Sequence, residues 1–436
     1  MEWQVILLII FGSLLITMVS GMPIALCFFL INVVGSYALF GGMAGLEQLI
    51  FSMYSSLATF SLLPLPLFIL MGEVLYHSNL GPILLDVLDK LLGRVPGRLA
   101  LLSVAGGALL SVLTGASVGS VAMLGNTLVP EMEERGYKKA MSLGPILGSG
   151  GLAIMIPPSG LAVLLGAIGE ISIGKILIAI IVPGLMMAAL YAAYVIVRCW
   201  LQPSVGPSHE EVSQSSFLEK IITVICYVLP LGIIVFLVTG VIILGVATPS
   251  EAAATGTLGV VFLAAAYRLL TWEVLKKAIG STLEIMGMIF LIICGAKAFS
   301  SLLSFTGVTV GVGEVLGNMS PVVTVITTQV IVLIMGAFME PASIMMITLP
   351  IFIPVITALG FSPVWFAVVF LLSIEMSLTT PPFGLNLFVM KGVAPSDTTM
   401  KDIYLAGFPF LACDAIVMVL LITFPEIALW LPSMTK

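Results

Sequence analysis

The sequence predicts an all-α polytopic membrane protein, an inverted repeat of two halves that each contain five spans and one re-entrant helical hairpin. Three observations predict this fold. Of the 436 residues, 60% are hydrophobic and only 9% are charged, which is more apolar surface than a soluble fold can bury. Apolar stretches of spanning length recur along the chain. Finally, the landmarks of the first half return in the second.

Ten apolar stretches are long enough to span a bilayer. They lie near residues 3–20, 22–40, 59–78, 140–168, 174–199, 220–240, 249–267, 281–303, 362–390 and 403–432. Two further apolar segments, about 98–130 and 321–357, are interrupted by TGAS (114–117) and MEPAS (339–343). Since each half of these segments is too short to span alone, we interpret both as re-entrant hairpins that enter and leave the membrane on the same side.

Positive charges predict the orientation, because cytoplasmic loops are enriched in Lys and Arg. Arg98 and Arg135 flank the first hairpin, whereas no Lys or Arg flanks the second. The two hairpins therefore open to opposite sides, and both chain termini lie outside. Residues 201–219 form a cytoplasmic linker between a first repeat (1–200) and a second repeat (220–436). The N-terminus lacks the positive region of a cleaved signal peptide, and we expect it to remain as the first span.

The two halves match at a nearly constant offset. Four pairs of landmarks lie 226 residues apart, namely Pro23 with Pro249, Gly81 with Gly307, Thr114 with Glu340, and Pro183 with Pro409. The double prolines that begin at Pro157 and Pro381 lie 224 residues apart. Five crossings per half is an odd number, so the halves insert with opposite orientation. Such inverted repeats with discontinuous helices are typical of secondary transporters.

The double prolines interrupt two predicted spans, in MIPPSG (155–160) and TTPPFGLN (379–386). Proline lacks the backbone N–H and clashes with a continuing helix, so each break exposes carbonyl groups and the N-terminus of a half-helix. Carbonyl groups can coordinate a cation, and helix N-termini attract an anion. A break facing a hairpin tip is therefore the predicted binding site.

The first tip and the first break carry oxygen ligands that suit sodium. The tip offers Thr114, Gly115, Ala116 and Ser117, and the break offers Gly150, Pro157, Pro158 and Ser159. The alternative is that these small residues only allow close helix packing.

The second tip places Glu340 and Ser343 near the membrane centre, where a carboxylate is costly and a functional candidate. Its facing break contributes Thr379, Thr380, Pro381, Gly384 and Asn386. The alternative for Glu340 is an ion pair with Lys297, which falls inside a predicted span and must snorkel or pair.

Of three other residues near these features, Glu375 and Gly184 keep two interpretations each, and Glu251 has one expected role. Glu375, about one turn before the second break, either lines the cavity or makes a structural hydrogen bond. Gly184 in VPG (182–184) either lends a backbone ligand or belongs to a simple proline kink. Glu251, in the first turn of a span that starts at Pro249, is expected to cap that helix.

Several classes of function are excluded or disfavoured. The net charge of −6 gives no basic patch for nucleic acid. The five cysteines have no metal-like spacing and are expected to be apolar packing residues. The two histidines, His77 and His209, are far apart, and no span pairs Ser or Cys with His, so an intramembrane enzyme lacks a nucleophile with its base. A channel would leave the paired breaks unexplained.

Five segments resemble one family over essentially the whole chain. TGASVGSVAMLGNTLVPEMEERGY, IMIPPS, GVATPSEAAATG, GAFMEPASIMMITLPIFIPVITALGFSP and LTTPPFGLNLFV are similar to the large membrane subunit of tripartite ATP-independent periplasmic (TRAP) transporters. The resemblance implies a bacterial inner-membrane protein with periplasmic termini, an elevator mechanism and sodium as coupling ion, without another cofactor. It implies three partners: a separate small four-helix membrane subunit, a periplasmic binding protein and a small organic acid anion.

The resemblance also assigns residues. It implies a first sodium site at Thr114, Gly115, Ala116 and Ser117 with Pro157 and Pro158, and a second at Glu340 with Thr379, Thr380 and Pro381. From the residues themselves, Gly150 is added to the first site, and Ser343 and Gly184 to the second. Substrate is expected at Ser117, Ser159, Ser343, Gly384 and Asn386. Glu340 stands where the family commonly has Asp, and Ala116 where it commonly has Ser. The alternative function is a self-sufficient sodium/anion symporter of the same hairpin architecture without a binding protein.

Overall fold

The computed structural model describes residues 2–434 except 21, 23, 59, 93–94, 115–116, 208–224, 227–228, 337–338 and 383. These residues are almost entirely helical, and no strand occurs among them. The helices are Trp3–Val19, Ile24–Leu39, Met43–Leu57, Pro64–His77, Leu80–Leu92, Arg98–Thr114, Ser117–Glu134, Lys139–Met155, Gly160–Gly169, Ile173–Ala179, Ile181–Leu201, Leu229–Val235, Pro249–Ala266, Trp272–Phe305, Val308–Gly317, Pro321–Gly336, Pro341–Ala358, Pro363–Thr379, Leu385–Val393, Met400–Thr423 and Glu426–Ser433. Most of the predicted linker lies outside the described residues.

Two helix pairs and two broken helices form where the sequence predicts interruptions. The first hairpin is Arg98–Thr114 with Ser117–Glu134, the first broken helix is Lys139–Met155 with Gly160–Gly169, the second hairpin is Pro321–Gly336 with Pro341–Ala358, and the second broken helix is Pro363–Thr379 with Leu385–Val393. The second set repeats the order of the first at a steady offset, since 321 − 98 = 223, 341 − 117 = 224, 363 − 139 = 224 and 385 − 160 = 225. The opposite orientation of the halves and their five spans each stay predictions.

The core lies along the two broken helices. Every residue from 141 to 155 and from 365 to 379 is buried, as expected for helices that are apolar all round. The first broken helix packs against the first hairpin and against Met400–Thr423, which we call the closing helix; the second packs against the second hairpin. These elements form the inner bundle.

Glycines set the spacing inside this bundle. A Cβ at Gly144 would lie 2.5 Å from the carbonyl oxygen of Ala406 on the closing helix. In the hairpins, a Cβ at Gly107 would lie 2.3 Å from the Oγ of Ser149, and one at Gly336 would lie 2.1 Å from the Oγ of Ser377. Each hairpin therefore touches its own broken helix through a glycine opposite a serine.

A second layer flanks the inner bundle. Pro64–His77 packs on Pro249–Ala266 and on Trp272–Phe305, and the latter also contacts Ile24–Leu39 and Met43–Leu57. We call Pro64–His77 and Trp272–Phe305 the outer helices. Many large apolar side chains of this layer are exposed, for example Phe262 and Leu283, which is the surface expected of a protein in contact with lipid.

Length and composition qualify several of the described helices as membrane spans. Four segments of the described chain are each long and apolar enough to cross a membrane: Ile173–Leu201, Trp272–Phe305, Pro341–Ala358 and Met400–Thr423. Pro64–His77 with Leu80–Asp89 passes as a pair bent by 71°, and the first broken helix passes as a pair bent by 43°. The expectation that each half of a hairpin is too short to span is therefore wrong on length for Pro341–Ala358, which has 18 residues.

Other predicted boundaries also needed correction. The span predicted at 281–303 belongs to a 34-residue helix, Trp272–Phe305, which Thr271 caps. Its first turns fall outside the predicted span because Glu273, Lys276 and Lys277 dilute the apolar pattern. The closing span predicted to 432 ends at Thr423, before Pro425. Met43–Leu57 was not anticipated, since Glu47, Gln48 and its serines dilute the apolar pattern.

We expect Gly144→Ala to lower the thermal stability of the purified protein in detergent. The added methyl group meets a backbone oxygen, which cannot move aside by a change of rotamer. Gly287→Ala, in the middle of Trp272–Phe305 with open space around the Cβ position, is the matched control and should be neutral or stabilising by about 1 kcal/mol. Equal melting temperatures for the two variants would contradict the role of glycine in bundle spacing.

Candidate functional site

Both tips and both breaks meet at one central cavity of about 240 Å³. The hairpins contribute Ser117 and Pro341, the breaks contribute Pro158 and Leu385, and the outer helices contribute Phe68 and Ile289. The wall is mostly apolar, and Glu73 is the one ionisable side chain among the lining residues of the described chain. The outer-helix side of the cavity has no signal in the sequence, because its apolar residues look like ordinary lipid-facing positions.

The first tip lies directly against the first broken helix. A Cβ at Gly150 would lie 2.2 Å from Val121 and 3.5 Å from the carbonyl oxygen of Ser117. The structure thus brings Gly150 and Ser117 together, as predicted for one site. Thr114 ends the first helix of the hairpin, but its side chain, Gly115 and Ala116 lie outside the described residues.

Ser117 is joined to the second break rather than to the first. The Nδ2 of Asn386 donates a hydrogen bond of 2.8 Å to the Oγ of Ser117. Asn386 is fully buried and Ser117 nearly so, and the Oδ1 of Asn386 has no partner among the described residues. The two predicted substrate residues therefore form one polar group, with a free acceptor oxygen, at the junction of the two halves.

The second tip presents two polar side chains without described partners. Glu340 is the residue before Pro341–Ala358, and its carboxylate makes no capping hydrogen bond. Ser343 is fully buried, and its hydroxyl has no hydrogen-bond partner in the described chain. Buried polar groups are normally satisfied, so the unpartnered hydroxyl of Ser343, three residues after Glu340, is a candidate ligand contact.

The second break supplies oxygens whose lone pairs remain available. The hydroxyls of Thr379 and Thr380 both donate to the carbonyl oxygen of Met376, at 3.2 Å and 2.7 Å. A hydroxyl that donates its proton can still accept or coordinate through oxygen. Gly384 is held tightly, since a Cβ there would lie 2.5 Å from the carbonyl oxygen of Leu378.

The two double prolines differ in exposure. Both Pro157–Pro158 and Pro381–Pro382 are cis peptides, yet Pro157 and Pro158 are buried while Pro381 and Pro382 are exposed. The carbonyl oxygen of Pro382 accepts a hydrogen bond of 2.9 Å from the hydroxyl of Tyr404. The second break thus has direct access to the surface, and the first does not.

Two predicted site residues have other surroundings than expected. The close neighbours of Gly184 are Met155 and Ile156 of the first break, so it does not lie with the second set of predicted sodium ligands. Ser159 is fully buried and accepts a hydrogen bond of 3.3 Å from the backbone N–H of Ala162. Its oxygen is therefore engaged as the N-cap of the half-helix Gly160–Gly169.

Lys297 is not the partner of Glu340. Its ammonium group pairs with Glu170, at the C-terminal end of Gly160–Gly169. Both side chains line an open cleft of about 920 Å³ between the inner bundle and the outer helix Trp272–Phe305. The pair bridges the two layers, and the Glu340 carboxylate remains unclaimed by any described cation.

Glu375 fits neither of its two interpretations. It is fully buried, does not line the central cavity, and neither carboxylate oxygen has a hydrogen-bond partner among the described residues. Glu251 does cap its helix, in a reciprocal capping box with Thr248. Four of the five cysteines are buried as expected, whereas Cys226 is exposed.

A serine does approach a histidine, contrary to the expectation from sequence. The Nε2 of His77 lies 3.3 Å from the Oγ of Ser281 and 3.3 Å from the Oε2 of Glu73. In a hydrolase triad the carboxylate binds the other ring nitrogen and orients the base. Here the carboxylate and the hydroxyl share one nitrogen, so the arrangement is that of a polar contact between the outer helices. His209 lies outside the described residues.

Comparison with known proteins gives a consistent result. The family model "Tripartite ATP-independent periplasmic transporter, DctM component" matches residues 11–427. The C4-dicarboxylate TRAP transporter large permease protein DctM of Rhodobacter capsulatus is 28% identical, covering 98% of this chain and 99% of that protein. The ectoine TRAP transporter large permease protein TeaC of Halomonas elongata is also 28% identical, covering 94% and 95%.

A solved structure shares the fold. The YdaH transporter of Alcanivorax borkumensis superimposes with a TM-score of 0.67 at 14% identity, covering 94% of this chain and 99% of that one. At this identity the likeness shows the fold alone.

The Asn386–Ser117 hydrogen bond should appear as an interaction energy in a double-mutant cycle. We expect Ser117→Ala and Asn386→Ala each to destabilise the protein by about 1–3 kcal/mol, because each leaves a buried group unpaired. The double variant should cost about 1 kcal/mol less than the sum. Unfolding in mixed micelles measures the free energy of unfolding of the two single variants and of the double variant.

The control cycle pairs Ser117→Ala with Asn32→Ala, whose Nδ2 instead donates to the carbonyl oxygen of Gly295. These two changes share no described partner and should be additive. Additivity in the Ser117–Asn386 cycle as well would contradict a direct bond between the first tip and the second break.

Proposed function

The chain belongs to the DctM component of the tripartite ATP-independent periplasmic (TRAP) transporters, and on that premise we propose that it imports a small organic acid anion, driven by sodium. It does so as the large membrane subunit, in the inner membrane of a bacterium. The observation that carries the proposal is the central cavity, where two hairpin tips and two helix breaks meet. Discontinuous helices around a midplane cavity are the usual construction of a secondary-transporter site.

Sodium is proposed to bind beside each tip. At the first tip, the close approach of Gly150 to the Ser117 carbonyl supports a site built from backbone oxygens. At the second, support comes from the Glu340 carboxylate, the unpartnered hydroxyl of Ser343 and the threonines of the facing break. Carboxylate, hydroxyl and carbonyl oxygens are the ligands that hard cations prefer. Gly184 is left out of this second site.

The cargo is proposed to be small and to bind without a basic side chain. A cavity of about 240 Å³ suits a compact molecule, and the described residues that line it include no Lys or Arg. Negative charge would be held by helix N-termini at the tips and breaks, by the Ser117–Asn386 group and by bound sodium. The relatives named above carry C4-dicarboxylate and ectoine, which are compact molecules of this size class.

Transport is proposed to occur by an elevator motion of the inner bundle against the outer helices. The cavity lies between these two layers, so a displacement of the bundle carries the site relative to the outer helices. A separate small membrane subunit is proposed to pack on the outer layer, and a periplasmic binding protein to deliver the cargo. With that arrangement both chain termini are proposed to lie in the periplasm.

Reconstitution tests the whole proposal. Proteoliposomes that contain this chain, its small membrane subunit and the binding protein should accumulate an organic acid only under an inward sodium gradient. The chain alone should be inactive. Uptake by the chain alone would favour the self-sufficient symporter, and uptake that ignores sodium would contradict the coupling.

We expect Glu340→Gln to raise the sodium concentration needed for half-maximal uptake by about tenfold or more, since the site loses its charged ligand and tenfold corresponds to about 1.4 kcal/mol. Insertion and folding should be preserved, because the side chain makes no described hydrogen bond. Glu426→Gln, at an exposed carboxylate of the terminal helix, is the control. An unchanged sodium dependence in Glu340→Gln would reject the role.

We also expect the double variant Pro157→Ala, Pro158→Ala to abolish most uptake. Removing both prolines allows the helix hydrogen bonds to continue through the first break and withdraws its exposed backbone groups. Pro432→Ala, a proline in the terminal helix Glu426–Ser433, is the control. Wild-type kinetics in the double variant would count against the break as part of the site.

A further inference from the structure

Glu375 is the most isolated ionisable group in the described chain. It lies in the middle of the inner bundle with no exposed surface, and neither of its carboxylate oxygens has a hydrogen-bond partner among the described residues. Its head group presses on the first broken helix, because a Cβ at Gly151 would lie 1.2 Å from Oε1. The carboxyl group therefore occupies the space that a side chain at position 151 would need.

Among the described residues, the groups that face Glu375 from neighbouring elements supply no positive charge. Asp414 on the closing helix and Tyr191 on Ile181–Leu201 interact with it electrostatically, and Cys413 is next to Asp414. The hairpin helices Pro321–Gly336 and Pro341–Ala358 and the half-helix Gly160–Gly169 contain no ionisable residue.

The cations on the other helices around Glu375 either bind other groups or lie near the ends of their helices. Lys139 begins the first broken helix and pairs with Asp397, and Lys391 donates to the carbonyl oxygen of Thr398. Lys175 and Lys401 are exposed, in the first turns of Ile173–Ala179 and of the closing helix, and Arg198 lies in the last turn of Ile181–Leu201. Two carboxyl groups thus share an apolar interior without a described counterion.

We propose that the inner bundle contains a proton-binding site at Glu375, and that this proton must be present for the two broken helices to pack together. A carboxylate buried without a partner costs many kcal/mol, whereas a protonated carboxyl costs only the loss of ordinary hydrogen bonds. The neutral acid is the form that this packing accepts.

The proton lies on Glu375 rather than on Asp414 because only one of them has a donor. The hydroxyl of Tyr191 donates a hydrogen bond to Oδ1 of Asp414, which stabilises the ionised form of that carboxyl. Glu375 receives no such bond. Ionised Asp414 also opposes a second negative charge nearby, which favours the proton on Glu375 further.

The site predicts a pH dependence with a definite sign. The packed bundle binds the proton more tightly than the unfolded chain does, so stability decreases as the pH rises. Glu375→Gln resembles the neutral acid in shape and cannot ionise. Its melting temperature should therefore fall less than that of the wild type as the pH rises above about 4.3, the value of a glutamate in an unfolded chain, with the largest gain at the alkaline end.

Infrared spectroscopy detects the proton directly and needs no transport activity, so its result is independent of the proposed function. At neutral pH the wild type should show the carbonyl stretch of a protonated carboxylic acid, which Glu375→Gln loses and Glu426→Gln keeps. Absence of that band, or its persistence in Glu375→Gln, overturns the proposal. Parallel pH profiles of melting temperature for wild type and Glu375→Gln also overturn it.

Tyr191→Phe provides a second variant if Glu375→Gln does not fold. Without the donor to Asp414, both carboxyls lack a partner, and we expect the protonated-acid band to grow by the equivalent of about one further group. An unchanged band in Tyr191→Phe would contradict the division of roles between the two carboxyls.

Discussion

A bilayer offers no water to a backbone carbonyl or N–H, and the fold depends on how the chain meets that constraint where its helices stop. The inner bundle contains four such interruptions, and all four lie around one cavity. Ser159 caps the half-helix after the first break, and Tyr404 donates a hydrogen bond to a carbonyl of the second break. Asn386 joins the second break to the first tip by a hydrogen bond. The backbone groups that these contacts leave without a partner are available to a ligand. The helix interruptions therefore also create the groups that can bind one.

Close backbone approach makes the arrangement possible. Two helices that are buried on every side can only be surrounded if their neighbours come near, and Gly107, Gly144 and Gly336 permit this. The same closeness leaves no room to solvate a buried charge. The two breaks are nevertheless unequal, since the prolines of the first are buried and those of the second are exposed.

Much of this architecture could be predicted from sequence, because proline pairs and glycine-serine tips mark helix ends by local chemistry alone. The hairpin and break boundaries fell within a few residues of expectation. Partnerships across the fold could not be predicted. That Lys297 meets Glu170, that Gly184 faces the first break, and that Asn386 reaches Ser117 all depend on how helices distant in sequence pack. The isolation of Glu375 could not be predicted either, since no local sequence pattern distinguishes a carboxyl group with hydrogen-bond partners from one without.

The hydrogen bond between Asn386 and Ser117 has a consequence for the history of the chain. If the halves arose from one ancestral segment by duplication, the sequences of the two halves would ordinarily be free to change independently. Here Asn386 of the second half donates to Ser117 at the tip of the first half, 269 positions away, so loss of either side chain leaves the other without its partner. Neither half therefore keeps all of its buried polar contacts when it is separated from the other.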